Sequence, residues 1–135
     1  MKRRSDARSH RRLQWTVGLL ALAPTISGAL IVLRGADGTP GHSPGVSPTI
    51  DGELRYANVF KSITGPVIVT QLGEVEDSRV LTAALGTVLA GGLARLLSWQ
   101  QTGRPHNAAF VAIALEVCVV PAVVMWRHRL ASGRG

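Results

Sequence analysis

Residues 13–33, LQWTVGLLALAPTISGALIVL, form a run of 21 residues without a formal charge. At about 1.5 Å per residue a helix of that length spans about 30 Å, the thickness of a bilayer's hydrocarbon core. The run is longer than the apolar segment of a usual secretory leader, and no small-residue cleavage site follows it. An uncleaved membrane span is therefore expected. Ser9-His10-Arg11-Arg12-Leu13 has a faint twin-arginine look, which carries little weight without a cleavage site. Pro24 predicts a kink inside the span, since neighbouring helices can satisfy the carbonyl it frees.

The remaining composition agrees with a membrane chain. Hydrophobic residues make up 46% of 135 residues, although both ends are polar. The net charge is +7. A balance this basic can signal nucleic acid, but the position of the charge decides otherwise. Lys2, Arg3, Arg4, Arg8, Arg11 and Arg12 stand against Asp6 at the start, and Arg127, Arg129 and Arg134 lie at the end. Basic ends around apolar runs fit membrane topology better than a nucleic-acid groove. Residues 1–12 are expected to be disordered or to lie on the lipid surface. Cys118 is the sole cysteine, which excludes an internal disulfide or a CxxC site; in an apolar run it reads as a small packing residue.

Three further spans follow. Residues 34–52 are rich in Gly, Pro and Ser and read as the longest loop. Its acidic end, Asp51 to Glu53, sits where a helix dipole favours carboxylates. Residues 54–72 are the least apolar span, because they hold Arg55 and Lys61. Counting them as a span puts both basic ends on the cytoplasmic side, as the positive-inside rule prefers. Residues 73–79 form a short acidic turn. Residues 80–99 are the third span, with Ala83, Gly86, Ala90 and Ala94 near helical spacing as a close-packing face. Residues 108–126 are the fourth, containing Glu116 and Pro121. Trp15, Trp99 and Trp126 fall at span ends and Tyr56 near the start of the second, the pattern of an interfacial belt.

Charges inside spans need partners, because an isolated one costs roughly 2.5–3.5 kcal/mol at the bilayer centre. In the topology above, Arg55 lies near the outer end of the second helix and Lys61 about 9 Å deeper. Arg95 lies about 6 Å below the outer boundary and Glu116 about 12 Å below it. Glu53, Arg55, Asn58, Lys61, Arg95 and Glu116 are thus the candidate polar cluster of the outer half. Either Arg95 forks onto Glu116 while Lys61 snorkels outward, or Lys61 takes Glu116 while Arg95 reaches Glu53 or Asp51. Gly91-Gly92 sits inside an apolar span and reads as helix packing rather than a phosphate loop.

HExxH, Walker-type and GxSxG patterns are absent, and the four histidines are scattered. No catalytic residue, metal or cofactor is expected.

Asp51-Gly52-Glu53-Leu54-Arg55-Tyr56 resembles the D-x-E-[FL]-R-[FY] opening of helix 2 in the domain of unknown function 4345 family, small bacterial membrane proteins. Gly91-Gly92-Leu93-Ala94-Arg95-Leu96-Leu97-Ser98 resembles its GG-x-[AG]-R-x-[LI]-S exit from helix 3. Gly103-Arg104-Pro105 resembles its G-x-P turn, and Leu115-Glu116 with Pro121 and Trp126 its helix 4. The likeness covers roughly residues 13–131. It implies a four-span integral membrane protein and assigns no catalytic residue. Lys61 departs from the family pattern, which puts the Lys61–Glu116 pairing in doubt.

The expected fold is all-α, a four-helix transmembrane bundle: a cytoplasmic arm at 1–12, a membrane domain at 13–126 and a cytoplasmic tail at 127–135. The expected role is that of a non-enzymatic structural or accessory protein of the cell membrane. The alternative is a component that binds or transports an anion or lipid head group through the polar cluster. Expected partners are the bilayer, anionic head groups at the basic termini, and a second copy or another membrane protein, with no nucleic acid.

Overall fold

A computed structural model describes residues 2–43 and 45–132, with side chains from residue 7 onward. The described residues contain no strand and form four helices: α1 (Lys2–Arg34), α2 (Pro48–Thr70), α3 (Arg79–Thr102) and α4 (Asn107–Ser132). Three of them, α1, α3 and α4, are long and apolar enough to cross a membrane. With 23 residues α2 has the length, but it carries Asp51, Glu53, Arg55 and Lys61.

The chain ends and the α2–α3 turn share one end of the molecule. Gln14 Nε2 donates to the Leu72 carbonyl at 2.8 Å, and Arg127 Nε donates to the Val75 carbonyl at 2.5 Å. At the other end the α1–α2 loop meets the α3–α4 turn, where Gly41 lies against His106. The helices therefore run alternately up and down. Trp15 and Trp126 lie near the first end and Trp99 near the second.

Local chemistry sets the boundaries. The Ser47 and Ser78 hydroxyls accept from the Ile50 and Leu81 amides at 3.4 and 3.1 Å, capping α2 and α3. Pro48 follows Ser47 at a position where its missing N–H costs nothing. Helix α3 stops at Gly103, whose φ of 99° suits glycine alone. Of the two expectations for the arm, disorder is corrected for residues 2–12, since α1 is helical from Lys2. Once the apolar span nucleates a helix, Lys, Arg and Ala extend it cheaply, and no Gly or Pro interrupts the arm. Met1, the side chains of Lys2, Arg3, Arg4 and Asp6, and Arg134 lie outside the described residues. α2 likewise starts six residues before its expected span at residue 54.

The apolar core gathers Leu13, Val17 and Ala21 of α1, Ile68 of α2, Leu81 and Leu85 of α3, and Val120 and Val123 of α4, with Val75 of the turn. It sits toward the end that holds the termini. Outward-facing positions are also apolar: Leu19, Leu22 and Ile26 of α1, Leu93 and Leu97 of α3, and Val111 and Met125 of α4 are exposed. A water-soluble helix would place polar residues there. With the three apolar helices, this describes a membrane-spanning protein.

Two expected packing features are corrected. Ala83, Gly86, Ala90 and Ala94 are exposed and form no helix–helix seam. Leu81 and Leu85 take the inward face instead, and Gly92 continues it. Cys118 is likewise exposed on α4. The close approaches are made elsewhere, at Gly28 against the Asn58–Ser62 backbone, at Gly65 against Ala21 and Thr25, and at Gly92 against Glu116 and Val117.

Candidate functional site

Glu116 sits in a wide turn. Leu115–Val119 is a π-helical segment in which the Val120 amide donates to the Leu115 carbonyl. Pro121 follows it and has no N–H for the carbonyl one α-turn back, so the normal ladder is already interrupted there. Across from it, Gly92 has no side chain, and this lets α3 close onto the Glu116 Cβ.

Arg95, one turn beyond Gly92, meets the carboxylate: its Nη1 is 3.4 Å from Glu116 Oε1. This is a single ion-pair contact rather than the two-pronged fork expected. Glu116 Oε2 is buried and has no hydrogen-bond partner among the described residues. Lys61 of α2 is close enough for its charge to act on both Arg95 and Glu116. Three of the six expected residues are thus brought together, from three helices.

The other three are elsewhere. Arg55 Nε donates to Asp51 Oδ2 at 2.7 Å, while its Nη1 donates to the Val32 and Leu33 carbonyls at 2.8 and 3.2 Å. It therefore satisfies the open carbonyls at the end of α1, as a cation there should. Asp51 also accepts from the Ala36 amide at 2.7 Å. The Arg55 guanidinium, and next the Ala36 amide, hold the Asp51 carboxyl below its ordinary value. Asp51 is thus occupied, so the alternative in which Arg95 reaches it does not occur. Asn58 is buried at the Gly28 crossing and donates to the Leu54 carbonyl of its own helix at 2.7 Å. Glu53 is exposed.

Two features escaped the sequence reading. The first is a cavity of about 330 Å³ above the Arg95–Glu116 pair, between α3 and α4, whose walls include Arg95, Trp99 and Arg104. The second is at the opposite end. Arg127, expected as a tail charge, is only 4% exposed. It donates to the carbonyls of Val75, Glu76 and Ser78 and to the Thr82 hydroxyl at 2.5–3.5 Å. Beside it His10 Nδ1 lies 2.7 Å from Glu76 Oε1. The acidic turn, which says nothing about sidedness, is what ties both chain ends down. Its signal in sequence was weak: a single arginine just past Trp126, indistinguishable by type from Arg129.

A model of one protein family, described as a domain of unknown function (DUF4345), matches residues 12–127. The chain belongs to the DUF4345 family. The matched DUF4345 segment starts one residue before Leu13 and ends on Arg127, so it includes both the Arg95–Glu116 pair and the arginine that holds the turn. Comparison with curated proteins and with solved structures gives no match. Among the described residues no group of His, Cys, Asp or Glu is arranged to hold a metal.

Proposed function

We propose that this DUF4345 protein is a non-catalytic, structural or accessory protein of the bacterial cell membrane, with four spans and both termini in the cytoplasm. The observation that carries this reading is Lys61. It is the deepest charge of α2, it is half-buried, and it lies within electrostatic range of Arg95 and Glu116. A helix lying outside the membrane would have no need to bring its lysine to an intramembrane carboxylate. Inward pairing is also what lowers the cost of a charge in lipid. Lys61, Arg95 and Glu116 then fix the order and register of α2, α3 and α4. The positive-inside rule supports the orientation, because the described basic residues Arg8, Arg11, Arg12, Arg127 and Arg129 belong to the end that holds the termini. Partners in this reading are the bilayer, anionic head groups at the basic ends, and a second copy or another membrane protein along the exposed Ala83–Gly86–Ala90–Ala94 face of α3.

Reporter fusions test the topology: a C-terminal reporter is expected to be active only in the cytoplasm. A periplasmic signal would rule out the four-span reading. The ion-pair role is tested separately. Arg95→Glu and Glu116→Arg each place like charges together and should lower the detergent melting midpoint, by about 1–2 kcal/mol or more in stability. The double exchange restores the attraction and should recover most of that loss. If the double variant is no better than the two single losses added, the pair is not holding the helices.

A further inference from the structure

The geometry points to a phosphate-type anion site in the cavity between α3 and α4, gripped by Arg95 and Arg104. The cavity, about 330 Å³, is within the size range of small-ligand pockets, roughly 300–1,000 Å³. Arg95, Ser98, Trp99 and Thr102 recur at helical spacing on one face of α3, and Ile113 faces them from α4. Arg104 comes from the turn, which Gly103 allows to fold sharply by taking a φ of 99°.

Charge gives the sign of the occupant. Arg95 and Arg104 line the cavity and no carboxylate does, Glu116 lying behind Arg95 as its ion-pair partner. Arg95 gives Glu116 only one 3.4 Å contact, so most of its donors are left for something else. Arg104 is exposed, and among the described residues its side chain reaches only that of Asn107, at 3.5 Å. Two guanidinium forks around one cavity suit a phosphate, whose oxygens can take paired donors.

The lining also mixes polar and apolar groups: Ser98 and Thr102 stand beside the Trp99 ring, with Ala109 and Ile113 of α4 completing an apolar wall. Such a lining suits a phosphate bearing an acyl chain, with the head group at the level where tryptophan sits in membranes. The same donors would serve free phosphate. The site needs no residue of α2 in its walls, so a failed topology experiment leaves it standing.

The test uses purified full-length protein in a neutral detergent, with Trp15→Phe and Trp126→Phe leaving Trp99 as the sole indole. It is titrated with short-chain phosphatidic acid in one arm and inorganic phosphate in the other. Calorimetric titration of the unaltered protein provides a second readout if the tryptophan variants fold poorly. A saturable response is expected, weakened at least about tenfold by Arg104→Gln, the effect of losing one charged contact. Saturation by phosphatidic acid alone identifies a lipid head group, and equal saturation by phosphate identifies a soluble anion. No saturable response in either arm overturns the site, as does an Arg104→Gln protein that binds like the original. Arg104 is exposed, so its variant should melt at the unaltered temperature.

Discussion

Replacing Arg127 with methionine is expected to destabilise the protein by about 3–5 kcal/mol, whereas Arg129→Met should change it by less than about 0.5 kcal/mol. The two substitutions remove the same charge from the same segment, two residues apart. A pure topology signal would make them equivalent. They differ because Arg127 is buried and Arg129 is exposed. Arg127 binds three carbonyls of the α2–α3 turn and the Thr82 hydroxyl. Methionine could fill part of its volume but donate to none of them. The Val75, Glu76 and Ser78 positions are themselves buried, so water cannot readily replace the guanidinium. Lysine at this position should fall between, since its compact ammonium cannot spread its donors over a whole turn. Melting midpoints in one detergent, with insertion checked by membrane fractionation, read the difference. Equal midpoints for Arg127→Met and Arg129→Met would refute the tie.

This result bears on why one end of the fold was legible in the sequence and the other was not. Depth arithmetic along helices is robust, because rise per residue is nearly constant. It therefore placed Lys61, Arg95 and Glu116 in one layer, and the structure brings those three together. Rotation about the helix axis is less forgiving. One residue is about 100° of turn, so Gly91 faces outward while Gly92 packs on Glu116. The same sensitivity put Ala83, Gly86, Ala90 and Ala94 on the expected seam, when Leu81 and Leu85 occupy it. Asn58 and Arg55 were placed at the right end but not with the right partners. Arg55 is drawn to the open carbonyls of α1 before it can contribute to anything deeper. The turn tie was missed for a different reason. Three of the four acceptors of Arg127 are backbone carbonyls, and carbonyls carry no sequence signal.

Hydropathy told a similar story for α2. Three helices stand out by apolar content and α2 does not. Its charges are distributed in a way that spares the lipid: Asp51 and Arg55 satisfy each other and the loop at its start, and Lys61 is half-buried within electrostatic range of Arg95 and Glu116. Its inner side packs in close backbone contact with α1, at Gly28 and Gly65.

That contact leads to the second large effect. Gly28→Ala is expected to cost at least about 1–3 kcal/mol, the usual range for forcing atoms into a filled space, and Gly28→Leu more. A Cβ on Gly28 would stand 2.7 Å from the Ser62 amide nitrogen and 3.0 Å from the Asn58 carbonyl oxygen. Both are backbone atoms inside α2, so neither can rotate away as a side chain would. The only relief is to separate α1 from α2. The same crossing is closed one level lower by Gly65, where a Cβ would collide with Thr25 Oγ1 and the Ala21 carbonyl. Moving the helices apart to accommodate residue 28 would therefore loosen the Gly65 contact as well. Gly91→Ala is the matched control, because a Cβ there meets nothing within 4 Å. It should be neutral or stabilising by up to about 1 kcal/mol, the helix preference of alanine over glycine. Gly92→Ala, next in the chain, should behave like Gly28→Ala, since its Cβ would stand 2.7 Å from that of Glu116. Melting midpoints of the four variants in a single detergent decide the matter. If Gly91→Ala and Gly92→Ala shift together, α3 does not meet α4 through Gly92; if Gly28→Ala is as harmless as Gly91→Ala, α1 and α2 do not cross at backbone contact.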